Sequence, residues 1–248
     1  MLPLHKIPVL EALQKQVALL NGVVKPLASM PAPTGLQPLM AHFAGGVFPA
    51  GVIHEMVVTT QQQQAATHGF LAGVIAQCLP ANGVVVWVGT GLQVFPAGLA
   101  YWGLQPHKHI FIQPQNAKQV NWVIEEALQC SGITAVVASS STAISFTNSR
   151  RFQLAAEKTN VTGFIQTQNS TGQANACYSR WLVQPAKSIA IQGLPGVGSV
   201  AWQVQLQKIR NGKVGKWQVQ WAASEQLLVV PTVQQLIPPV TIPIKKYA

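Results

Sequence analysis

The chain has 248 residues, 48% of them hydrophobic, enough to bury a large core in one domain with appendages. Only 9% are charged, against roughly 25% in an average globular protein; all six acids are Glu, and 16 Lys and Arg leave a net charge of +10. That balance favours an anionic partner, whether nucleic acid, an acidic protein face or a membrane surface. No apolar run reaches the roughly 18 residues of a membrane span. The N-terminus, interrupted by Pro3, Lys6, Pro8 and Glu11, does not fit a signal peptide. Cys78, Cys130 and Cys177 are odd in number and far apart, which argues against a disulfide framework or zinc site and for a reducing cytoplasm. Cys78 and Cys130 fall in apolar helical stretches and are expected as small core residues.

Val9, Leu10, Leu13, Val17 and Leu20 have helical spacing, followed by the Pro-rich "KPLASMPAPTGLQP". From Gly51 the pattern alternates. "GVIHEMVV" predicts a strand and "AATHGFLAGVIAQC" a helix, with a polar loop of glutamines between them. "GVVVWVG" is a continuous apolar run, as in a strand buried on both faces. "FPAGLAYWGL" predicts a short helix, "HIFIQP" a strand and "AKQVNWVIEEALQCSG" a helix. "ITAVVAS" is another buried strand; "TNSRRFQLAAEKTN" is a helix with Thr147 or Asn148 as N-cap, and "VTGFIQT" a strand. Such alternation implies βαβ units and a mostly parallel sheet covered on both faces, an α/β fold. After Thr167 come "ACYSRWLVQP" and then two alternating strands around "NGKVG", a hairpin signal. On them Trp202, Val204 and Leu206 are expected to share one face, and Trp217, Val219 and Trp221 another. The expected division is an N-terminal helix and linker over 1–44, a core over 45–224 and a Pro-rich tail over 225–248.

This order of elements resembles the RecA-like ATPase core. Gly51, Ile53 and Glu55 match the Gly-x-Ile-x-Glu that begins such a core, and counting on without a gap puts its phosphate-binding Gly-Lys-Thr on Gln63, Gln64 and Ala65. A phosphate-binding loop wraps backbone N–H groups around the anion while Lys neutralises its charge. The residues here are Gln61, Gln62, Gln63, Gln64 and Ala65, with no glycine and no cation. The acid that would hold Mg²⁺ is replaced by Ala138 and Ser139, and the catalytic Glu by Gly91. Three functions are absent together, so no catalytic residue, cofactor or metal is assigned, and the chain is expected not to be an enzyme.

Within that superfamily the chain is similar to the ImuA family, accessory factors of damage-induced (SOS) mutagenesis. The likeness is carried by "GVIHE", "FPAGLAYWGL", "IFIQP", "SFTNSRRFQLAAEKTNVTGFI" and "WQVQLQKIRNGKVGKWQVQW". The resemblance implies a non-catalytic RecA-like adaptor in translesion synthesis, working with an ImuB-like Y-family polymerase relative and an error-prone C-family polymerase, with RecA or DNA as further partners. RecA-like cores also associate through an N-terminal segment, which implies that an arm of this chain docks either on a second copy, giving a homo-oligomer, or on the polymerase-like partner. The rival resemblance is to the SulA cell-division inhibitors, which bind FtsZ; those are shorter and lack the basic hairpin.

The candidate binding residues are cations. Arg150 and Arg151 are expected to open a helix, a costly place for positive charge that an external anion would relieve. Lys208, Arg210, Lys213 and Lys216 gather in the hairpin among Trp202, Trp217 and Trp221; the rings are expected in the core and the charges at a partner. His107 and His109 lack further ligands for a metal, and the neighbours Glu125 and Glu126 diverge on their helix.

Overall fold

The computed structural model describes residues 35–80, 83–140, 143–168, 174–189, 198–222 and 227–229. The helix expected over Val9 to Leu20 and the tail beyond residue 229 lie outside these.

After a helical turn, α1 (Gln37–Met40), the chain alternates as its apolar runs require. The order is β1 (Ile53–Val58), α2 (Gln61–Cys78), β2 (Val84–Gly89), β3 (His109–Ile112), α3 (Ala117–Leu128), β4 (Ile133–Ser140), α4 (Phe146–Thr159) and β5 (Thr162–Gln168). Then come β6 (Ser179–Ile189), β7 (Ser199–Ile209), β8 (Gly215–Ala222) and β9 (Leu227–Val229). All nine strands form one sheet in the order β3-β2-β4-β5-β1-β6-β7-β8-β9. Pairing is parallel from β3 across to β6 and antiparallel from β6 to β9.

The sheet separates two cores. On β2, Val86 and Val88 join Ile124 and Leu128 of α3 and Phe152 and Ala156 of α4 on one face. Val85 and Trp87 point to the other, which holds α2, α1 and the tryptophans of β6, β7 and β8. Burial on both faces explains the unbroken apolar run of β2. Leu36, Leu39 and Met40, at 2% exposure or less, already belong to the second core. There α2 is wedged so closely that a Cβ on Gly69 would meet both Trp102 and Trp202.

The short helix expected in "FPAGLAYWGL" is a 3-10 helix over Pro96–Trp102, ended by Gly103 at φ +78°. Other expectations are corrected. The N-cap of α4 is Ser145, whose hydroxyl accepts from the Asn148 N–H, so the helix starts earlier than Thr147 or Asn148 would allow. The two hairpin sets share one face, because Trp202 lies opposite Val219 and Val204 opposite Trp217. Cys78 and Cys177 are the buried cysteines, while Cys130, past the end of α3, is exposed.

Candidate functional site

In an open parallel sheet the ligand crevice lies beyond the carboxyl ends of the strands. Here that place is bounded by β1, β2, β4 and β5 and holds a cleft of about 190 Å³, below the roughly 300 Å³ where ligand pockets begin. Its walls include Gln64, Thr90, Gly91, Ser139, Gln166 and Gln168, all uncharged. The Ser139 hydroxyl donates to Gln166 Oε1 at 2.9 Å. Ala138, beside it, is fully buried.

The entrance to α2 differs from the polar loop expected. Only Thr59 and Thr60 separate β1 from the helix, and Gln61, Gln62, Gln63 and Gln64 form its first turn, with Ala65 exposed behind them. Thr60 is the N-cap; its hydroxyl accepts from the Gln63 N–H at 3.2 Å. Gln63 Oε1 reaches back to accept from the Thr59 N–H at 2.8 Å and the Thr59 hydroxyl at 2.7 Å. This is a capping box displaced by one residue. The N–H groups of Thr59 and Gln63, which could face an anion, are met by the chain's own oxygens. Amides and hydroxyls can hydrogen-bond here, but they supply no charge for a triphosphate and no carboxylate for Mg²⁺.

Under β1, on the α3/α4 side, lies a polar network that sequence reasoning missed. Glu55 is fully buried and pairs with Arg180 Nε at 2.6 Å. Asn175 Nδ2 donates to the same carboxylate at 2.8 Å and the Thr167 hydroxyl at 3.2 Å. The strand register His54↔Ser179 and Glu55↔Arg180 brings these groups together. The signal available in sequence was Glu55 alone inside an apolar strand, whose buried charge must have a partner.

The hairpin cations divide. Lys208 Nζ donates to the Asn175 carbonyl at 2.9 Å, and Arg210 leans on the Ala176 carbonyl at 3.5 Å. Lys213 and Lys216 stand exposed. The hairpin tip is seated on His42: the Lys213 N–H donates to the His42 carbonyl at 2.9 Å, and His42 Nδ1 lies 3.1 Å from the Lys213 carbonyl. Trp202 and Trp221 are buried as expected, and Trp217 partly so.

Arg150 and Arg151 lie a full turn inside α4, so the unfavourable helix-end argument loses its force. Arg151 meets Glu125 of α3 at 2.6 Å, an internal partner, whereas Arg150 is exposed on the outer face. His107 points to solvent and His109 inward, where its Nδ1 accepts from Trp87 Nε1 at 2.9 Å, so the two diverge. Among the described residues no three His, Cys, Asp or Glu side chains converge as metal ligands, and no helix is long and apolar enough to cross a membrane.

No family model matches the chain. It is 29% identical over 191 residues to Protein ImuA of Caulobacter vibrioides, in strains NA1000 / CB15N and ATCC 19089 / CIP 103742 / CB 15. The match covers 72% of this chain and 78% of that protein. This likeness to Protein ImuA supports membership of the ImuA family.

Proposed function

We propose that the protein is a non-catalytic accessory factor of damage-induced mutagenesis. It acts in the cytoplasm and joins an ImuB-like Y-family polymerase relative to an error-prone C-family polymerase, with DNA or RecA as further contacts. The observation that carries the reading is the crevice: where an ATPase of this architecture would hold phosphate and metal, the side chains are uncharged and Thr60 and Gln63 close the helix end on itself. A fold kept without its chemistry is suited to holding other proteins. Self-association through the segment before residue 35 belongs to the same reading.

Calorimetry with ATP and Mg²⁺ is expected to show no binding heat. A micromolar dissociation constant, about −8 kcal/mol, would overturn the non-catalytic reading. Capture of the tagged protein from DNA-damaged cells is expected to recover polymerase chains, and recovery of FtsZ in their place would favour a division inhibitor. Light scattering of the chain lacking residues 1–34 is expected to give a smaller mass than the parent, and an unchanged mass would remove self-association through that segment.

A further inference from the structure

One face of β6, β7 and β8 packs Trp181, Trp202, Val204, Val219 and Trp221 into the core. The opposite face is a platform of amides and cations. Its register sets Gln184, Gln203 and Gln218 in one row across the three strands. Leu182, Gln205 and Lys216 form the next row, and Arg180 and Lys208 begin a third. Directly opposed residues share a face, so these side chains stand together. Gln203 and Lys216 are exposed; Gln184, Gln205 and Gln218 are half-exposed. Helices α3 and α4 pack on β1, β2, β4 and β5, the other half of the sheet. From Ser179 to Ala222 the sequence contains Arg180, Lys187, Lys208, Arg210, Lys213 and Lys216 and no acid.

We infer that this platform binds the phosphodiester backbone of double-stranded nucleic acid, independently of base sequence. The inference rests on the accessory role proposed above and supplies its nucleic-acid contact. Charge complementarity requires a polyanion. An acidic protein segment would be anchored by apolar and aromatic side chains at the centre of its interface, and the platform offers Leu182 alone. Protein–nucleic acid interfaces are more polar and far more positive than protein–protein ones. Glutamine amides and lysines are the donors that meet phosphate oxygens. Single strands are held by stacking bases on aromatic rings; every tryptophan of β6, β7 and β8 faces the other way or into the core. The preferred form is therefore the duplex.

The test uses the full chain, a labelled mixed-sequence duplex of about 30 base pairs and an oligothymidine of equal length, titrated between about 50 and 200 mM salt. Duplex binding is expected with a slope of log K against log salt near −3, about what three or four neutralised phosphates give. Lys216→Gln should reduce that slope by about one unit. Gln203→Glu should weaken duplex binding by about tenfold, one repelled contact. Gln203→Ala, which brings no new charge to the sheet, is the second variant should the Glu form fail to fold, and a severalfold loss is expected. Three results would each overturn the inference. They are no duplex binding at the lowest salt, unchanged affinity in the folded variants, and tighter binding of oligothymidine than of duplex. Equal binding of a 20-residue oligoglutamate at the same salt would also overturn it and make the platform an acidic-peptide surface. Polymerase capture by the same variants separates the two readings. Capture without duplex binding sinks only this inference, and loss of capture in the parent sinks the accessory role.

Discussion

His54 is fully buried in β1 between two hydrogen bonds: Nε2 donates to the Pro49 carbonyl at 2.8 Å, and Nδ1 accepts from the Ser179 hydroxyl at 2.6 Å. That hydroxyl in turn accepts from Trp181 Nε1 at 2.6 Å. The neutral ring completes this chain of bonds, and burial lowers its pKa from 6.5 to about 4. Burial lowers His68 to about 4 as well. Below pH 6.5 the unfolded chain therefore takes up protons that the folded chain refuses. Stability is full above that pH and falls as the pH drops towards 4, by up to about 3 kcal/mol for His54 alone. Urea unfolding at pH 7.5 and pH 5 measures the fall, and His54→Gln should make it shallower; an unchanged slope would exclude His54 as its source. Glu55 makes a second test. Arg180→Met leaves a buried carboxylate without its cation and should cost about 3–5 kcal/mol. The double variant Glu55→Gln with Arg180→Met should recover much of that loss, because it removes the charge along with its partner. If the double variant were as unstable as the single, the cost would lie in packing rather than charge. Cysteine reactivity follows burial: Cys78 and Cys177 have thiol pKa values raised to about 12, whereas Cys130 is exposed. A thiol reagent should label one cysteine in the native protein and three after unfolding.

The helix α2 begins by a device its sequence states in full. Thr60 followed three residues later by Gln63 is the pattern of a capping box. Thr60→Ala should cost about 1 kcal/mol, read as a lower urea midpoint at unchanged slope, and no change would mean that the cap contributes nothing. Gly51 joins β1 to α4 across the fold. It has φ +66°, its N–H donates to the Thr162 hydroxyl at 3.0 Å, and a Cβ there would strike the side chain of Asn160, the left-handed residue that ends α4. The strands and helices were legible because apolar runs and helical spacing are local properties of the chain. Ser145 does not read as the cap of α4 in the sequence, since Phe146 and Thr147 do not look like helix from propensity alone. The shared face of the two tryptophan sets was not legible, because it depends on the register across the turn. The Glu55–Arg180 pair was hidden for a similar reason: its members are 125 residues apart and meet only once β6 pairs with β1. In the crevice, the identities of the neutral residues were plain in the sequence, whereas the closing of the loop into a helical turn depends on the bonds that Thr59, Thr60 and Gln63 make to one another in space.

Across the whole molecule, the parallel and antiparallel halves share one core. Trp102 lies 5.7 Å from Trp202 and 5.0 Å from Trp221 by ring centroids, and Phe70 of α2 packs against both Trp181 and Trp202. The described chain should therefore unfold as one unit, with circular dichroism and tryptophan fluorescence changing together. Trp202→Ala should lower both transitions together by about 3–5 kcal/mol; two separate transitions would mean that the halves are independent. Charge, unlike the core, is divided. The described acids are Glu55, matched by Arg180, and Glu125, Glu126 and Glu157, which lie on α3 and α4 among Lys118, Arg150, Arg151 and Lys158. Among the described residues, the hairpin half has only cations beyond that pair. The described part of the chain is therefore an electric dipole, and a polyanion still several ångströms away exerts a torque that turns the hairpin towards it. Encounters then succeed more often than random orientation allows. Added salt should slow capture steeply while leaving the residence time of a formed complex nearly unchanged.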